Sequence, residues 1–212
     1  MGATSATELP MFPLGTVLVP SMLLPLNVFE ERYRRMVAEC LDGVPEMGVV
    51  LIERGSEVGG GDVRTDVGTV ARIVEAHGDP DSGYRVAAVG VRRIKVEHWL
   101  PDDPFPRAMV TDWPDDPVED ADAATRALEE VLVRLRRALA LQAELGEPGP
   151  PVDVEVSPDP ALASHQVGVL APLGPLDRLA LLSAPGVAER LATAAVLIDD
   201  AADLLQARLA SP

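Results

Sequence analysis

The chain changes its hydrophobic period near residue 118. Before that point apolar side chains come in short runs broken by turn formers. After it they recur at helical spacing. The opening stretch, LPMFPLGTVLVPSMLLPLNVFEERYRRMV over residues 9–37, carries prolines at 10, 13, 20 and 25. Its pattern predicts short strands at Met11–Leu14 and Val17–Val19 around a Gly15-Thr16 turn, and a third near Met22–Leu24. Prolines at strand ends or edges cost no ladder hydrogen bond. A helix follows. Asn27 is the expected N-cap, with Glu30 and Glu31 near the positive end. Phe29, Tyr33, Met36 and Val37 form its apolar stripe, and Gly43 and Pro45 end it.

Further strands are predicted at 47–52, 67–76, 84–98 and 107–112. A turn over 77–83 joins the second and third of these, and Gly90 marks a bulge. Residues 54–64, with Gly59-Gly60-Gly61, read as a polar loop. Residues 114–117 read as a linker. Asp120 or Asp122 then caps a helix to about Leu145, with Leu128, Val131, Leu132, Leu135 and Leu139 on one face. A Pro-rich loop, two short helices (from Ser157 or Asp159 through Val167, and Leu176–Leu182) and a last long helix complete the pattern. That helix places Val187, Leu191, Ala194, Ile198, Ala201, Leu205 and Leu209 in phase. The fold class is α+β, a β-rich domain over 8–116 followed by an α-helical subdomain over 117–212.

Composition narrows the function. The 212 residues are 47% hydrophobic but only 3% aromatic, so the cores are built from Leu, Val and Ala. The formal net charge of −16 repels phosphates, and neither a nucleic-acid nor a membrane partner is expected. The prolines break any spanning helix, and residues 1–8 lack the basic start of a secretory signal. The single Cys40 allows no intrachain disulfide, so a cytoplasmic location is expected. The most basic run, Arg92-Arg93-Ile94-Lys95, reads as a strand with solvent-facing charges.

Catalytic motifs are missing. There is no P-loop, no G-x-S-x-G elbow, and Lys95 is the only lysine. Gly59-Gly60-Gly61 lacks the spacing of a dinucleotide fingerprint. His77, His98, His165 and Cys40 are too scattered in sequence for a metal motif. Asp79-Pro80-Asp81-Ser82-Gly83 reads as a turn rather than a calcium loop. Ser164 and His165 are neighbours on a helix and point about 100° apart. The chain therefore reads as non-enzymatic, with no cofactor.

The residues of the opening stretch also carry a resemblance. Phe12-Pro13-Leu14, Val17-Leu18-Val19-Pro20 and Leu24-Pro25-Leu26-Asn27-Val28-Phe29-Glu30-Glu31-Arg32-Tyr33 resemble the start of the Lon protease substrate-binding domain. That family reads F-P-L, V-L-F-P, then L-P-L-x-I-F-E-x-R-Y. Gly48–Ile52, Val67–Ile73 and Val89-Gly90-Val91-Arg92-Arg93 match it as well. Asn27 stands where many relatives carry His, and Val19 where many carry Phe. The resemblance covers residues 8–113 well and the helical part more loosely, through Leu173–Leu182 and Arg190-Leu191.

It implies a twisted pseudo-barrel of the PUA-like type, followed by a helical bundle, with a role in recognising protein substrates. The chain stops at Pro212 without a P-loop or second lysine, and so reads as a stand-alone version of the substrate-recognition region. The binding reading is capture of exposed hydrophobic or unfolded polypeptide segments. Met22, Leu24, Phe29, Tyr33, Trp99, Arg92 and Arg93 are its candidate contacts, with core packing as the competing reading of Phe29 and Tyr33. The alternatives are an adaptor docking on a separate protease or chaperone, and a small-ligand sensor using Arg72, Arg92, Arg93 and His77 in an interdomain cleft. A weak homo-oligomer stays open.

Overall fold

Alternation decides where the strands go. In LLPLNV the inward positions are Leu24, Leu26 and Val28, and this period of two carries the stretch into a sheet as far as Val28. The computed structural model describes residues 5–55 and 63–210. Its elements are β1 (Thr7–Leu14), β2 (Leu23–Val28), α1 (Glu31–Asp42), β3 (Glu46–Arg54), β4 (Val63–Asp79), β5 (Gly83–Trp99) and β6 (Arg107–Asp112). Four helices follow: α2 (Ala121–Glu144), α3 (Pro160–Leu170), α4 (Pro175–Leu182) and α5 (Val187–Leu209). The α+β class is borne out. The chain forms two compact units, residues 1–114 and 115–212. The predicted Gly59–Gly61 loop lies outside the described residues.

The first unit is a sheet closed on itself. Its strand order is β2-β5-β4-β3-β1-β6, and β5 also pairs with β6. The seventeen-residue β5 makes this possible by serving two partners along one edge. Its first half, Tyr84–Val89, pairs with β2, and its second half, from Ile94, pairs with β6. Between the halves the register slips by one residue, so that Gly90 faces Ala71 and Arg92 faces Val70. This is the predicted bulge, and it bends the strand. A side chain at Gly90 would place its Cβ 2.3 Å from the Val19 carbonyl oxygen, so glycine is required there.

Three local expectations are corrected. Val17–Val19 is buried as a strand would be, but it pairs with none. Its neighbourhood is satisfied individually: Thr69 Oγ1 donates to the Leu18 carbonyl at 2.6 Å, Ser21 N to Gly90 O, and Gly90 N to Met22 O. Apolar burial alone does not distinguish such a segment from a strand. Asn27 does not cap α1. It lies in β2 opposite Arg85, and Glu30 is the N-cap residue, without a side-chain cap bond. The sheet ladder to β5 outcompetes the cap. The β4–β5 turn is also tighter than expected: the strands run to Asp79 and resume at Gly83.

In the second unit α2 and α5 run parallel. Arg134–Asp199 (3.1 Å) and Arg137–Asp203 (3.4 Å) rise together along both helices, and Arg208 pairs with Glu147 beyond the end of α2. Leu128, Leu135, Leu139, Leu191, Ile198 and Leu205 form the shared core. Ala202, rather than the predicted Ala201, is fully buried there. Asp120 and Asp159 cap α2 and α3 through the N–H groups of Ala123 and Ala161. Arg190 is completely buried, and its guanidinium donates to Asp115 at 2.9 Å, to Ser164 Oγ at 2.9 Å and to the Leu181 carbonyl. No helix among the described residues is long and apolar enough to cross a membrane.

Candidate functional site

The β2–α1 junction is built so that one aromatic ring is left outside. β2 ends at Val28, which is buried, and α1 starts at Glu31. Phe29 falls between them and is 70% exposed, whereas Phe12 and Phe105 are 7% and 1% exposed. Phe29 therefore leaves the predicted helix stripe. Tyr33, Met36, Val37 and Cys40 form that stripe instead. The exposure of Phe29 is not looseness of its surroundings. The Tyr33 ring stacks on Phe12 at 4.3 Å, and the Arg32 guanidinium covers Tyr33 at 4.4 Å. The other side of the junction is held by the β4–β5 hairpin. Gly83 has φ +100°, and a Cβ there would lie 2.8 Å from the Val28 carbonyl oxygen. Arg34 donates to the Asp81 carbonyl at the hairpin tip.

Three hollows meet around Asn27. The first, about 280 Å³, is lined by Phe12, Leu14, Leu26, Phe29 and Tyr33 among others and is apolar on most sides. The second, about 330 Å³, lies between Phe29 and the hairpin residues His77, Ser82 and Arg85. The third, about 230 Å³, runs past Pro25, Leu26, His77 and Ala87. Together they give a shallow groove with an apolar end and a polar end, able to take an extended chain with alternating side chains.

The candidate contacts named from sequence do not converge here. Phe29 and Tyr33 line the apolar hollow. Leu24 is buried in the core and Met22 packs half-buried against it. Trp99 is half-buried on another cluster, with the Arg64 guanidinium 4.7 Å from its ring. Arg92 and Arg72 both clamp Glu46, at 2.7 and 2.9 Å, and Arg92 also reaches Asp112 at 2.9 Å. Burial alone would raise the Glu46 carboxyl, but the hydrogen bonds and charges of Arg92 and Arg72 outweigh it and hold it below the usual carboxylate range. Arg93 is corrected: it is buried, not solvent-facing, with its guanidinium 4.4 Å from the Trp113 ring. Arg72 and Arg92 are thus engaged with acids within the fold, and Arg93 with the Trp113 ring.

Sequence reading missed Leu26, Pro25 and Arg85 as groove residues, and named His77 only beside Arg72, Arg92 and Arg93 for a small ligand. Only cross-strand register brings them together, and that register is not written in any one segment.

Residues 8–200 match the model of the ATP-dependent protease La (LON) substrate-binding domain. The chain belongs to this family. The Lon protease of Dictyoglomus thermophilum is 35% identical over 103 residues, covering 48% of this chain and 13% of that protein. Lon protease 2 of Herpetosiphon aurantiacus is 26% identical over 210 residues, covering 97% of this chain and 25% of that protein. The crystal structure of the Lon N-terminal domain protein from Xanthomonas campestris superposes with a TM-score of 0.60 at 26% identity, over 88% of this chain and 95% of that one. The N-terminal domain of the Mycobacterium avium complex Lon protease gives 0.64 at 18% identity, over 92% and 99%, a likeness of fold alone. The chain spans only an eighth to a quarter of the curated relatives' length, 13% and 25% in these two cases. What those proteases do as whole molecules is a statement about them. The matched region is their substrate-binding domain, and membership supports a role in substrate recognition.

Proposed function

We propose that this chain is a recognition module that holds exposed hydrophobic segments of unfolded polypeptides, with the groove around Asn27 and Phe29 as the contact surface. One observation carries the reading: a junction packed by the Tyr33–Phe12 stack leaves a large aromatic ring exposed beside an apolar hollow. Phe29, 70% exposed, has about 1–2 kcal/mol of apolar transfer free energy still to gain on burial. β2 borders the groove as an edge strand, and Pro25 lacks the N–H that would let this edge pair freely. Affinity then rests on side chains more than on strand addition, which suits loose selection among many sequences.

The test is hydrogen exchange with a chemically unfolded model protein in excess. Binding slows exchange at backbone amides of residues 26–33 and 82–86, while α2 and α5 keep their rates. Absence of any binding at micromolar concentrations, or protection confined to the helical unit, refutes the assignment.

A further inference from the structure

The groove's polar end has an order of its own. Asn27 on β2 sits directly opposite Arg85 on β5, and Arg85 directly opposite His77 on β4. All three are exposed, so one cross-strand row presents an amide, a guanidinium and an imidazole on the same face. Residues paired in this way have Cβ atoms about 5 Å apart, close enough for one carboxylate to meet two of them. His77 is already tethered, with Nε2 2.7 Å from Glu75 Oε1. Arg85 holds no ion pair among the described residues, although the chain has 34 acidic residues against 18 basic ones. Among the described residues it is also the only Lys or Arg that lines any of the three hollows. The acids that line the hollows, Glu75 and Glu30, are paired with His77 and Arg32.

We infer that the groove prefers segments in which an acidic side chain lies close to an apolar one, with Arg85 as the carboxylate's partner and Phe29 as the apolar side chain's. This rests on the proposed polypeptide site and adds a selection rule to it. An internal acidic side chain fits better than a chain terminus, because hollows lie on both sides of the row. One is bounded by Phe29 and the hairpin, the other by Pro25 and Ala87, so a chain can run through. Long-range charge opposes this choice, since the molecule carries −16. At physiological salt the screening length is about 8 Å, and the local guanidinium decides.

The experiment uses the full chain and three labelled peptides, read by fluorescence anisotropy at physiological salt. Two are amidated and identical except for Asp or Asn beside a Leu-Phe pair; the third is the Asn peptide with a free C-terminal carboxylate. The Asp peptide binds wild type about threefold tighter than the Asn peptide, the gain of one exposed ion pair. Arg85→Gln removes the preference, so that this variant binds the Asp and Asn peptides equally, and Arg85→Glu inverts it. Phe29→Ser weakens both peptides alike, which tests the site itself. If the Asp and Asn peptides bind wild type equally, the selection rule is overturned and the polypeptide site stands. A preference shown only by the free carboxylate overturns the internal-segment assignment. If none of the peptides binds, the site falls and the rule falls with it.

Discussion

Replacing Phe29 with Ser separates a contact surface from a structural ring. Phe29 is 70% exposed, so less than a third of its side chain contributes to folding. At about 1.5–3 kcal/mol for full burial, its removal costs the fold about 0.5–1 kcal/mol. The exposed part remains for a partner to cover, about 1–2 kcal/mol, which is about five- to thirtyfold in Kd. The assay is anisotropy of a labelled unfolded protein titrated with wild type and variant, alongside urea unfolding of each. Val44 supplies the control. It is also 70% exposed but lies between α1 and β3 and lines none of the three hollows. Val44→Ser leaves Kd unchanged. Equal affinities for wild type and Phe29→Ser refute the reasoning. So does an equal loss from Val44→Ser, because general surface stickiness would then explain the binding. A loss of stability above about 2 kcal/mol for Phe29→Ser makes the ring a core element instead.

Three further outcomes follow from the packing. Glu46 is held below the usual carboxylate range by Arg92 and Arg72, so its stabilising effect is full above the unfolded carboxyl's titration and fades as pH falls through the lowered folded value. Acid unfolding of Glu46→Gln therefore lacks part of the wild-type pH dependence below about pH 4.5, and an identical profile overturns the clamp. Arg190→Met leaves Asp115 facing an apolar side chain and costs the helical unit about 3 kcal/mol, followed by its thermal unfolding. Adding Asp115→Ala to it restores part of that loss, and strict additivity of the two changes argues against coupling. Cys40 is buried with its thiol pushed up to about 11, by burial first and Glu39 next. Native protein at pH 8 therefore reacts with a thiol reagent about a hundredfold slower than an unperturbed cysteine; a rate near that of the denatured chain refutes the packing of α1.

Much of the fold was legible because each strand and helix carries its own period. β6 was read with its observed bounds, and the caps Asp120 and Asp159 were both named as alternatives in the right places. The misses share one cause. Val17–Val19 looks like a strand, and Asn27 looks like a cap, until the partners are known. Both outcomes were settled by β4 and β5, segments more than fifty residues away. The candidate site was less legible for the same reason. Phe29 and Tyr33 were read as one helical stripe, but the last residues of β2 pair with β5 and leave Phe29 outside the helix. Arg72, Arg92 and Arg93 looked like available cations, yet their acid and aromatic partners come from β3 and the end of β6. Arg85, which has no such partner, stood out only once its neighbours across the sheet were in view.

The closed ring also has a consequence for how the molecule is made. β6, residues 107–112, is the last strand to be synthesised, and it alone seals β1 to β5. A nascent chain that has emerged only through β5 holds the outer edges of β1 and the second half of β5 without partners. The groove around Phe29 uses none of the β6 residues, so its parts are all outside the ribosome before the ring can close. During that interval the chain presents the exposed Phe29 and open sheet edges together, and its own unfinished segments are the nearest unfolded polypeptide. Rapid arrival of β6 is then a condition for the ring to close before those open edges find a wrong partner.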